Sequence, residues 1–214
     1  MDSIECSMRK RKYTPLEASL QVSEETDTPR PVIHNMVATA QLKCSKMPLD
    51  LYYINSMLPG SSYDKRRFAA MTIRLAHPNC TVLLFSSGKM VVTGARNWYD
   101  CVLCCLTITN LLRGSFAGQL FQLTACDIQN IVAHCEIPLD GASLNIAAMY
   151  ERLNLFSTYQ KNMFPGLIYR PPASPIVLLC FASGKIVITG GRTVEDIFQG
   201  WARLWPTVKL FITS

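Results

Sequence analysis

Short apolar runs of strand length alternate along the chain with segments of helical period, in an order that occurs twice. The runs have the length and the β-branched and aromatic content of strands. The predicted strands cover 35–42, 69–75, 81–86 and 90–95, then 130–137 and the three stretches that lie 96 residues beyond the last three. Helices are predicted at about 49–57, 98–112, 144–154 and 194–208. This order of elements predicts an α+β protein.

The order repeats because the sequence itself repeats. The repeated segments are Tyr63–Phe68 with Tyr159–Phe164, and Leu83–Gly94 with Leu179–Gly190, both at an offset of 96 residues. A third pair of similar segments starts at Asn35 and Asn130, at an offset of 95 residues. A nearly constant offset over so many positions predicts two like units, at about 35–113 and 130–209.

Each unit is predicted to form an antiparallel sheet with its helices on one face. Tight turns at Ser87-Gly88 and Ser183-Gly184 join the last two strands of each unit as hairpins. Two like units can pair edge to edge and continue one long curved sheet. Helices on one face would leave the other face open, so the composition of that face indicates what it contacts.

The predicted strands are apolar on both faces. Side chains alternate along a strand, so Leu83 and Phe85 share one face while Val82 and Leu84 share the other. An antiparallel sheet with one wet face normally alternates apolar and polar residues. Either a second layer of protein covers the open face, or this face is an apolar binding surface. Two helices per unit are too few to cover both faces, which favours the binding surface.

Charge divides the chain unevenly. Of the 21 basic and 15 acidic residues, residues 1–30 hold five and six, so residues 31–214 hold 16 and nine. A basic folded part favours a polyanionic partner such as nucleic acid. Residues 1–30 are rich in Ser, Thr, Glu and Pro, and we interpret them as a flexible polar tail. The basic run at 9–12 is either a nuclear-import signal or a solvated charge run.

Cysteine usage and hydropathy indicate the kind of compartment in which the protein resides. The nine cysteines are an odd number and several lie inside apolar runs, which favours a reducing compartment over a disulfide framework. Cys101, Cys104 and Cys105 lack the second ligand pair of a structural zinc site, so we interpret them as part of an apolar helix. No apolar run approaches the ~20 residues of a membrane span, and the polar N-terminus does not resemble a secretory signal.

The sequence does not predict an enzyme. The three histidines, His34, His77 and His134, are scattered along the sequence, and no constellation of histidines or carboxylates recurs in both units. We therefore interpret each histidine as a strand or turn residue rather than a ligand. Neither a cofactor nor a bound metal ion is expected.

Long motifs in both repeats resemble the core of the TATA-box-binding protein family. These motifs are Lys65–Ala70, Phe85–Ala95, Phe164–Arg170 and Ile176–Gly190, and the resemblance extends over about residues 31–211. It implies a saddle-shaped fold of two pseudo-symmetric repeats, whose long curved antiparallel sheet carries its helices on the convex face. It also implies that the protein binds TATA-like, A·T-rich DNA in the minor groove, bends it, and nucleates the transcription preinitiation complex in the nucleus.

The resemblance implies a role for each matching residue of the open face. The wedges that enter base steps and kink the duplex are Phe68, Phe85, Phe164 and Phe181. The donors to the central minor-groove acceptors are Asn35 and Asn130, beside Thr93 and Thr189. The apolar floor consists of Val37, Leu83, Val91, Val132, Leu179 and Val187. The phosphate contacts come from Arg67, Arg74, Lys89, Arg170 and Lys185, with hydroxyl donors at Ser87 and Ser183.

The helix at 98–112 departs from the family, which carries a basic face there that binds transcription factor IIA. This helix contains no Lys or Arg, and Val102, Leu106 and Thr107 occupy the family's basic positions. We therefore predict an exposed, mostly apolar patch on it. We therefore expect transcription factor IIA to bind poorly, because the cations that attract its acidic surface are missing.

The segment before Phe164 departs from the family as well. Gln160, Asn162 and Met163 stand where the family presents two carboxylates and a leucine to transcription factor IIB. These changes predict a divergent member that binds DNA and TATA-binding-protein-associated factors but differs in its contacts with factors IIA and IIB. The alternative is a related regulator that sequesters or recruits transcription factors with weak or no TATA binding. A protein-interaction module that binds no DNA is a third possibility.

Overall fold

The computed structural model describes residues 27–116 and 118–213, which form two compact units. The first unit comprises Asn35–Gln129, and the second comprises residues 27–34 together with 130–213. Each unit contains one of the two repeated sets of motifs and has the predicted α+β arrangement.

The first unit is an antiparallel sheet with two helices. Its elements are β1 (Val32–Cys44, which enters this unit at Asn35), α1 (Leu51–Met57), β2 (Ser61–Ser62), β3 (Ala70–Leu75), β4 (Cys80–Phe85), β5 (Lys89–Ala95), α2 (Trp98–Ser115) and the first part of β6 (Phe121–Glu136). The strand order is β2-β3-β4-β5-β1-β6. Helix α2 packs on β5 and β4.

The second unit repeats this plan. Its elements are the remainder of β6, β7 (Ser143–Leu144), α3 (Ile146–Leu153), a 3-10 turn (Asn154–Phe156), β8 (Ser157–Gln160), β9 (Phe164–Tyr169), β10 (Val177–Cys180), β11 (Lys185–Gly191), α4 (Val194–Lys209) and β12 (Ile212–Thr213). The strand order is β6-β11-β10-β9-β8, and β12 pairs separately with β7. Helix α4 packs on β11.

Local sequence signals determine the turns and the helix starts. Gly88 and Gly184 have φ values of +79° and +83°, so the hairpin turns need the conformational freedom of glycine. A Cβ on Gly88 would lie 2.1 Å from the carbonyl oxygen of Leu42, which excludes every other residue there. Thr193 caps α4, because its side chain accepts from the backbone N–H of Asp196 while the Asp196 carboxylate accepts from the Thr193 N–H.

The two faces of each sheet differ in burial although both are apolar. On β4, Val82 and Leu84 are fully buried, whereas Leu83 and Phe85 are only partly buried. The same alternation runs along β1, β5, β6, β10 and β11. The helices cover the fully buried face, and within residues 27–116 and 118–213 no second protein layer buries the other face. This face of each sheet is called the open face below.

The prediction of an exposed apolar patch on α2 is wrong for Val102, the first residue of that patch. Val102 is only 8% exposed, and Leu106 and Thr107 are partly buried. The helix packs along its length on the sheet, so a wider stripe is buried than one 3.6-residue face requires. The large apolar side chains that α2 does expose are Tyr99 and Leu111.

Several boundaries also differ from the prediction. Strand β6 starts at Phe121, nine residues before the predicted start at 130. Helix α2 continues to Ser115 and so includes the exposed Arg113, whose Nε donates to the Phe121 carbonyl oxygen at 2.7 Å. The short strands β2, β7, β8 and β12 were not predicted, because two- to four-residue strands carry too few residues for a period to show.

The predicted tail lies mostly outside the described residues, and so does the basic run at 9–12. Its last residues, 27–30, belong to the second unit and contact α4. The Trp201 indole N–H donates to the Pro29 carbonyl oxygen at 2.7 Å, and Lys209 forms an ion pair with Asp27. Trp201 itself is fully buried, so this hydrogen bond satisfies a polar atom of the core.

All the cysteines in the described part of the chain are free thiols, and most are buried. Burial raises the pKa of the Cys101 thiol to about 12, so this thiol is protonated and packs as a small apolar side chain. Among these same residues no group of His, Cys, Asp or Glu is arranged to hold a metal ion. No helix within residues 27–116 and 118–213 is long and apolar enough to cross a membrane.

Candidate nucleic-acid interface

The open face of the first unit is built around paired apolar side chains. Leu83 on β4 lies directly opposite Val91 on β5, and Thr93 lies opposite Thr81. Val37 on β1 is partly buried in the same way. These side chains lie on adjacent strands and point away from the helices, so they form a shallow apolar surface that is partly exposed to solvent.

The second unit has a similar surface at the equivalent positions. Leu179 on β10 lies opposite Val187 on β11, and Val177 lies opposite Thr189. Val132 on β6 is partly buried, as Val37 is in the first unit. Every predicted site residue is partly buried or exposed in its own unit, which leaves all of them accessible to a ligand.

An asparagine in each unit is oriented by the backbone. The Gly94 N–H donates to Asn35 Oδ1 at 2.7 Å, and the Gly190 N–H donates to Asn130 Oδ1 at 2.9 Å. Only an oxygen can accept these bonds, so the amide carbonyl is identified and the amide NH₂ lies at the other end of the side chain. The neighbouring threonine hydroxyls lie within 3.4 Å of these amides. Each unit therefore presents a fixed amide donor within an apolar surface.

A pair of phenylalanines lies at the outer strands of each unit. The Phe68 and Phe85 ring centroids are 6.3 Å apart at 64°, and those of Phe164 and Phe181 are 5.6 Å apart at 70°. Phe68 is 50% exposed, which is unusual for so large an apolar side chain in a protein with a full core. These edge-to-face pairs add aromatic side chains to the open face of each unit.

The phenylalanine pair of the second unit packs over a glycine. A Cβ on Gly166 would lie 2.8 Å from Phe164 Cε1 and 2.9 Å from Phe181 Cε1. The corresponding residue of the first unit, 96 positions earlier, is Ala70. The glycine therefore allows the two rings of the second unit to lie closer together and nearer the strand.

We predict that Gly166→Ala displaces both rings. The rings are only partly buried and can swing outward, so the free energy of unfolding should fall by no more than about 1 kcal/mol. Affinity for a TATA duplex should fall by roughly tenfold, because the wedges no longer stand at the correct height. Fluorescence anisotropy with a labelled duplex measures the affinity, and thermal unfolding measures the stability.

The matched control is Gly114→Ala in α2, where an added Cβ meets nothing within 4 Å. This change should leave DNA affinity unaltered. Equal affinity of the Gly166→Ala variant and the wild type would show that ring height does not matter.

Basic and hydroxyl side chains lie around each open face. In the first unit, Arg67 is 88% exposed, and its Nε lies 3.7 Å from an Asp64 carboxylate oxygen. Arg74, Lys89, Arg170 and Lys185 are exposed too, and Ser87 and Ser183 occupy the hairpin turns. Exposed cations around an apolar centre suit a ligand with a charged outline and a less polar interior.

The histidines are not all scattered, which corrects the expectation from the sequence. Two of them meet in the second unit, where the His34 and His134 ring centroids are 5.6 Å apart at 76°. His134 lies opposite Val187 and on the same face of β6 as Asn130 and Val132. Strand alternation from Asn130 would have placed His134 on the open face, but nothing in the sequence places His34 beside it.

The fold and the open faces define a class of protein: a two-repeat α+β domain that offers a ligand an apolar, cation-ringed sheet surface in each unit. Residues 30–114 and 125–211 match the family model described as "Transcription factor TFIID (or TATA-binding protein, TBP)". The chain belongs to this family of DNA-binding transcription factors. Because the family is not enzymatic, the prediction that the chain is not an enzyme is confirmed.

Individual relatives agree with the family match. The chain is 38% identical to a TATA-box-binding protein of Emericella nidulans and 37% identical to that of Saccharomyces cerevisiae, each over 85% of its length. The alignments cover 65% and 72% of those two proteins. It is also 36% identical to a TATA box-binding protein-like 2 of Rattus norvegicus, of which it covers half.

A solved structure confirms the predicted fold class. The chain is similar to the TBP of Methanococcus jannaschii with a TM-score of 0.72 and 28% sequence identity. The similarity covers 85% of this chain and 99% of that structure. The chain therefore has the TBP-like fold.

Proposed function

We propose that this protein binds TATA-like, A·T-rich DNA through the open faces of its two units and bends it to start assembly of a transcription preinitiation complex. The observation that carries the proposal is the partly exposed apolar face with one backbone-oriented asparagine donor, which occurs in both units. Membership of the TATA-binding protein family supports it. The proposed place of action is the nucleus.

The chemistry of the open face suits the minor groove of A·T pairs. These pairs present only acceptors there, adenine N3 and thymine O2, whereas guanine adds a protruding amino group. Val91 and Val187 would leave such an amino group without a partner, while Asn35 and Asn130 can donate to the central acceptors. Preference for A·T pairs then follows partly from exclusion.

The phenylalanine pairs supply the bend in this proposal. Phe68 with Phe85, and Phe164 with Phe181, enter base steps and partly unstack them, as apolar wedges do in minor-groove binding. Unstacking costs a few kcal/mol per step, which a larger contact surface offsets. Flexible TA steps lower the cost, so part of the sequence preference comes from deformability.

The salt dependence of binding tests the proposed phosphate contacts. If Arg67, Arg74, Lys89, Arg170 and Lys185 each neutralise one phosphate, log affinity should fall with log salt concentration with a slope of about −4 to −5. Titrations of a TATA duplex at four or more salt concentrations give the slope. An affinity that does not change with salt would contradict these contacts.

A mobility-shift assay separates the proposed function from the alternative. The proposal expects a complex with a TATA duplex and a much weaker one with a duplex of the same length in which G·C pairs replace the central A·T pairs. A regulator that sequesters transcription factors would bind neither duplex but would still bind the factors. This second candidate function is supported by the residues at 160–163 and on α2, which differ from those of the family.

Weak recruitment of transcription factor IIB is proposed from the segment before Phe164. Gln160, Asn162 and Met163 are exposed there, and Met163 is 83% exposed. We predict that the double variant Gln160→Glu, Asn162→Glu binds factor IIB on a TATA duplex about three- to tenfold more tightly, because two exposed ion pairs contribute about 0.2–1 kcal/mol each. Gel shifts with increasing factor IIB measure the gain.

Gln199→Glu on α4 is the control for net charge, since Gln199 is exposed on a helix and distant in sequence from the altered segment. It should leave the complex with factor IIB unchanged. A wild-type complex as tight as that of the double variant would show that these carboxylates are dispensable.

A further inference from the structure

One pair of open-face positions differs between the two repeats in its hydrogen bonding. In the first unit, Gln129 Nε2 donates to Thr39 Oγ1 at 2.8 Å. The residues equivalent to Thr39 and Gln129, at the repeat offset of 95, are His134 and His34. Where the first unit has a hydrogen bond between two side chains, the second unit thus has an edge-to-face contact of two imidazoles.

The imidazole pair has unused hydrogen-bonding capacity. Within the part of the chain that the structure describes, His34 and His134 contact each other through their rings, and no ring nitrogen of either residue has a protein hydrogen-bond partner. His34 is exposed and His134 is partly buried. Every neutral imidazole has one N–H donor and one acceptor nitrogen, so the pair offers at least two donors to a ligand.

The position of the pair indicates which ligand atoms it can reach. His134 follows Asn130 and Val132 at two-residue intervals on the open face of β6, and it lies opposite Val187 on β11. The amide donor of Asn130 and the imidazoles therefore belong to one row of side chains. A ligand that accepts from Asn130 would present its next acceptors to the histidines.

We propose that His34 and His134 form a hydrogen-bonding subsite for minor-groove acceptors of the DNA half that the second unit contacts. Adenine N3 and thymine O2 are acceptors of the required kind. The pair makes the two halves of the interface chemically unequal, because Gln129 and Thr39 already bond to each other. Because A·T and T·A pairs offer the same acceptors in the minor groove, the pair favours one orientation on an element that has a G·C pair in only one half, with the second unit on the half that lacks it. This inference rests on the proposed function.

Imidazole signals test the subsite without any substitution. In the ¹⁵N-labelled protein, long-range proton–nitrogen correlations of the ring nitrogens are recorded while a TATA duplex is added. The signals of His34 and His134 should shift on binding, whereas His77, in the β3–β4 turn, should not. A complex that forms while the two signals stay in place would overturn the inference and leave the proposed function intact. Failure to form any complex would overturn both.

A symmetrising variant tests what the subsite does. His34→Gln with His134→Thr gives the second unit the same pair as the first. We expect a three- to tenfold loss of affinity for a TATA duplex, the loss of about one net hydrogen bond. The preference between the two orientations, measured by energy transfer from a dye on the protein to either end of the duplex, should also shrink. The control is His77→Gln, which should behave as the wild type.

A merely structural role of the histidines would lower stability without changing the orientation ratio. An unchanged ratio and unchanged affinity in the folded double variant would overturn the subsite.

Discussion

Replacing Phe164 and Phe181 together with alanine should lower the affinity for a TATA duplex by roughly 100-fold and reduce the bend. Base–aromatic stacking contributes about 1–3 kcal/mol for each aromatic side chain removed, so two rings give a loss in this range. The rings project from the open face at a centroid distance of 5.6 Å, and alanine leaves nothing to enter a base step. Energy transfer between dyes at the two ends of the duplex measures the bend, and anisotropy measures the affinity.

The control for this experiment is Phe198→Ala. Phe198 is also partly buried and in the second unit, but it lies on α4, which packs on the covered face of the sheet. Its loss should lower the midpoint of thermal unfolding while affinity and bend remain those of the wild type. All variants are compared well below their unfolding midpoints, so that reduced stability does not appear as reduced affinity.

A bend angle unchanged in the Phe164→Ala, Phe181→Ala variant would contradict the wedge role. Loss of affinity with an unchanged bend would be informative in a different way. It would mean that the rings contribute contact area at the surface of the groove while other groups deform the duplex.

The repeat explains why most of the architecture could be predicted from the sequence. A strand such as β4 carries apolar residues on both faces, and a fixed offset supplied a second copy of every signal. Turn glycines and the N-cap at Thr193 are local features whose cause lies in a few adjacent residues. Strand alternation alone placed Leu83 with Phe85 on one face, and the structure has them partly buried together.

What failed depended on tertiary packing. The burial of Val102 depends on how deeply α2 sits on its sheet, which the helical period does not contain. The early start of β6 at Phe121 depends on the strand beside it, since the Thr124 hydroxyl donates to the Gln41 carbonyl oxygen at 3.1 Å. A propensity scale does not include the effect of such a neighbouring strand.

The histidine pair shows the same limit at the candidate site. His34 and His134 are 100 positions apart, and only the pairing of elements brings their rings together. The repeat carried a usable signal, because it equates His134 with Thr39 on a face already assigned. Scattered positions in a sequence are therefore weak evidence against a shared site when the chain contains a repeat.

The asparagines allow a more stringent test than the wedges, because a change of two or three atoms reverses their chemistry. We predict that Asn130→Asp lowers the affinity for a TATA duplex by about 100-fold or more. The carboxylate replaces the amide donor with an acceptor, so it faces minor-groove acceptors without a proton to share. It also places a negative charge in a groove of negative potential, and a desolvated charge without a partner is costly.

The same substitution should leave the fold intact. Asn130 Oδ1 accepts from the Gly190 N–H at 2.9 Å, and an aspartate oxygen in that place accepts the same bond. Alanine would instead leave the Gly190 N–H without its hydrogen-bond partner. The variant would then lose stability, and a loss of binding could not be separated from that effect. Thermal unfolding of Asn130→Asp should therefore resemble that of the wild type, and anisotropy should report the loss of affinity alone.

Asn35→Asp in the first unit should repeat the result, because the Gly94 N–H holds Asn35 in the same way at 2.7 Å. Asn110→Asp on α2 introduces the same charge on an exposed helix position and serves as the control for net charge. A binding loss shared by all three variants would mean that long-range repulsion of DNA is responsible. A loss confined to Asn35→Asp and Asn130→Asp requires that both amides face the duplex. Only at the duplex does replacing a donor by an acceptor set a carboxylate lone pair against a lone pair of adenine N3 or thymine O2.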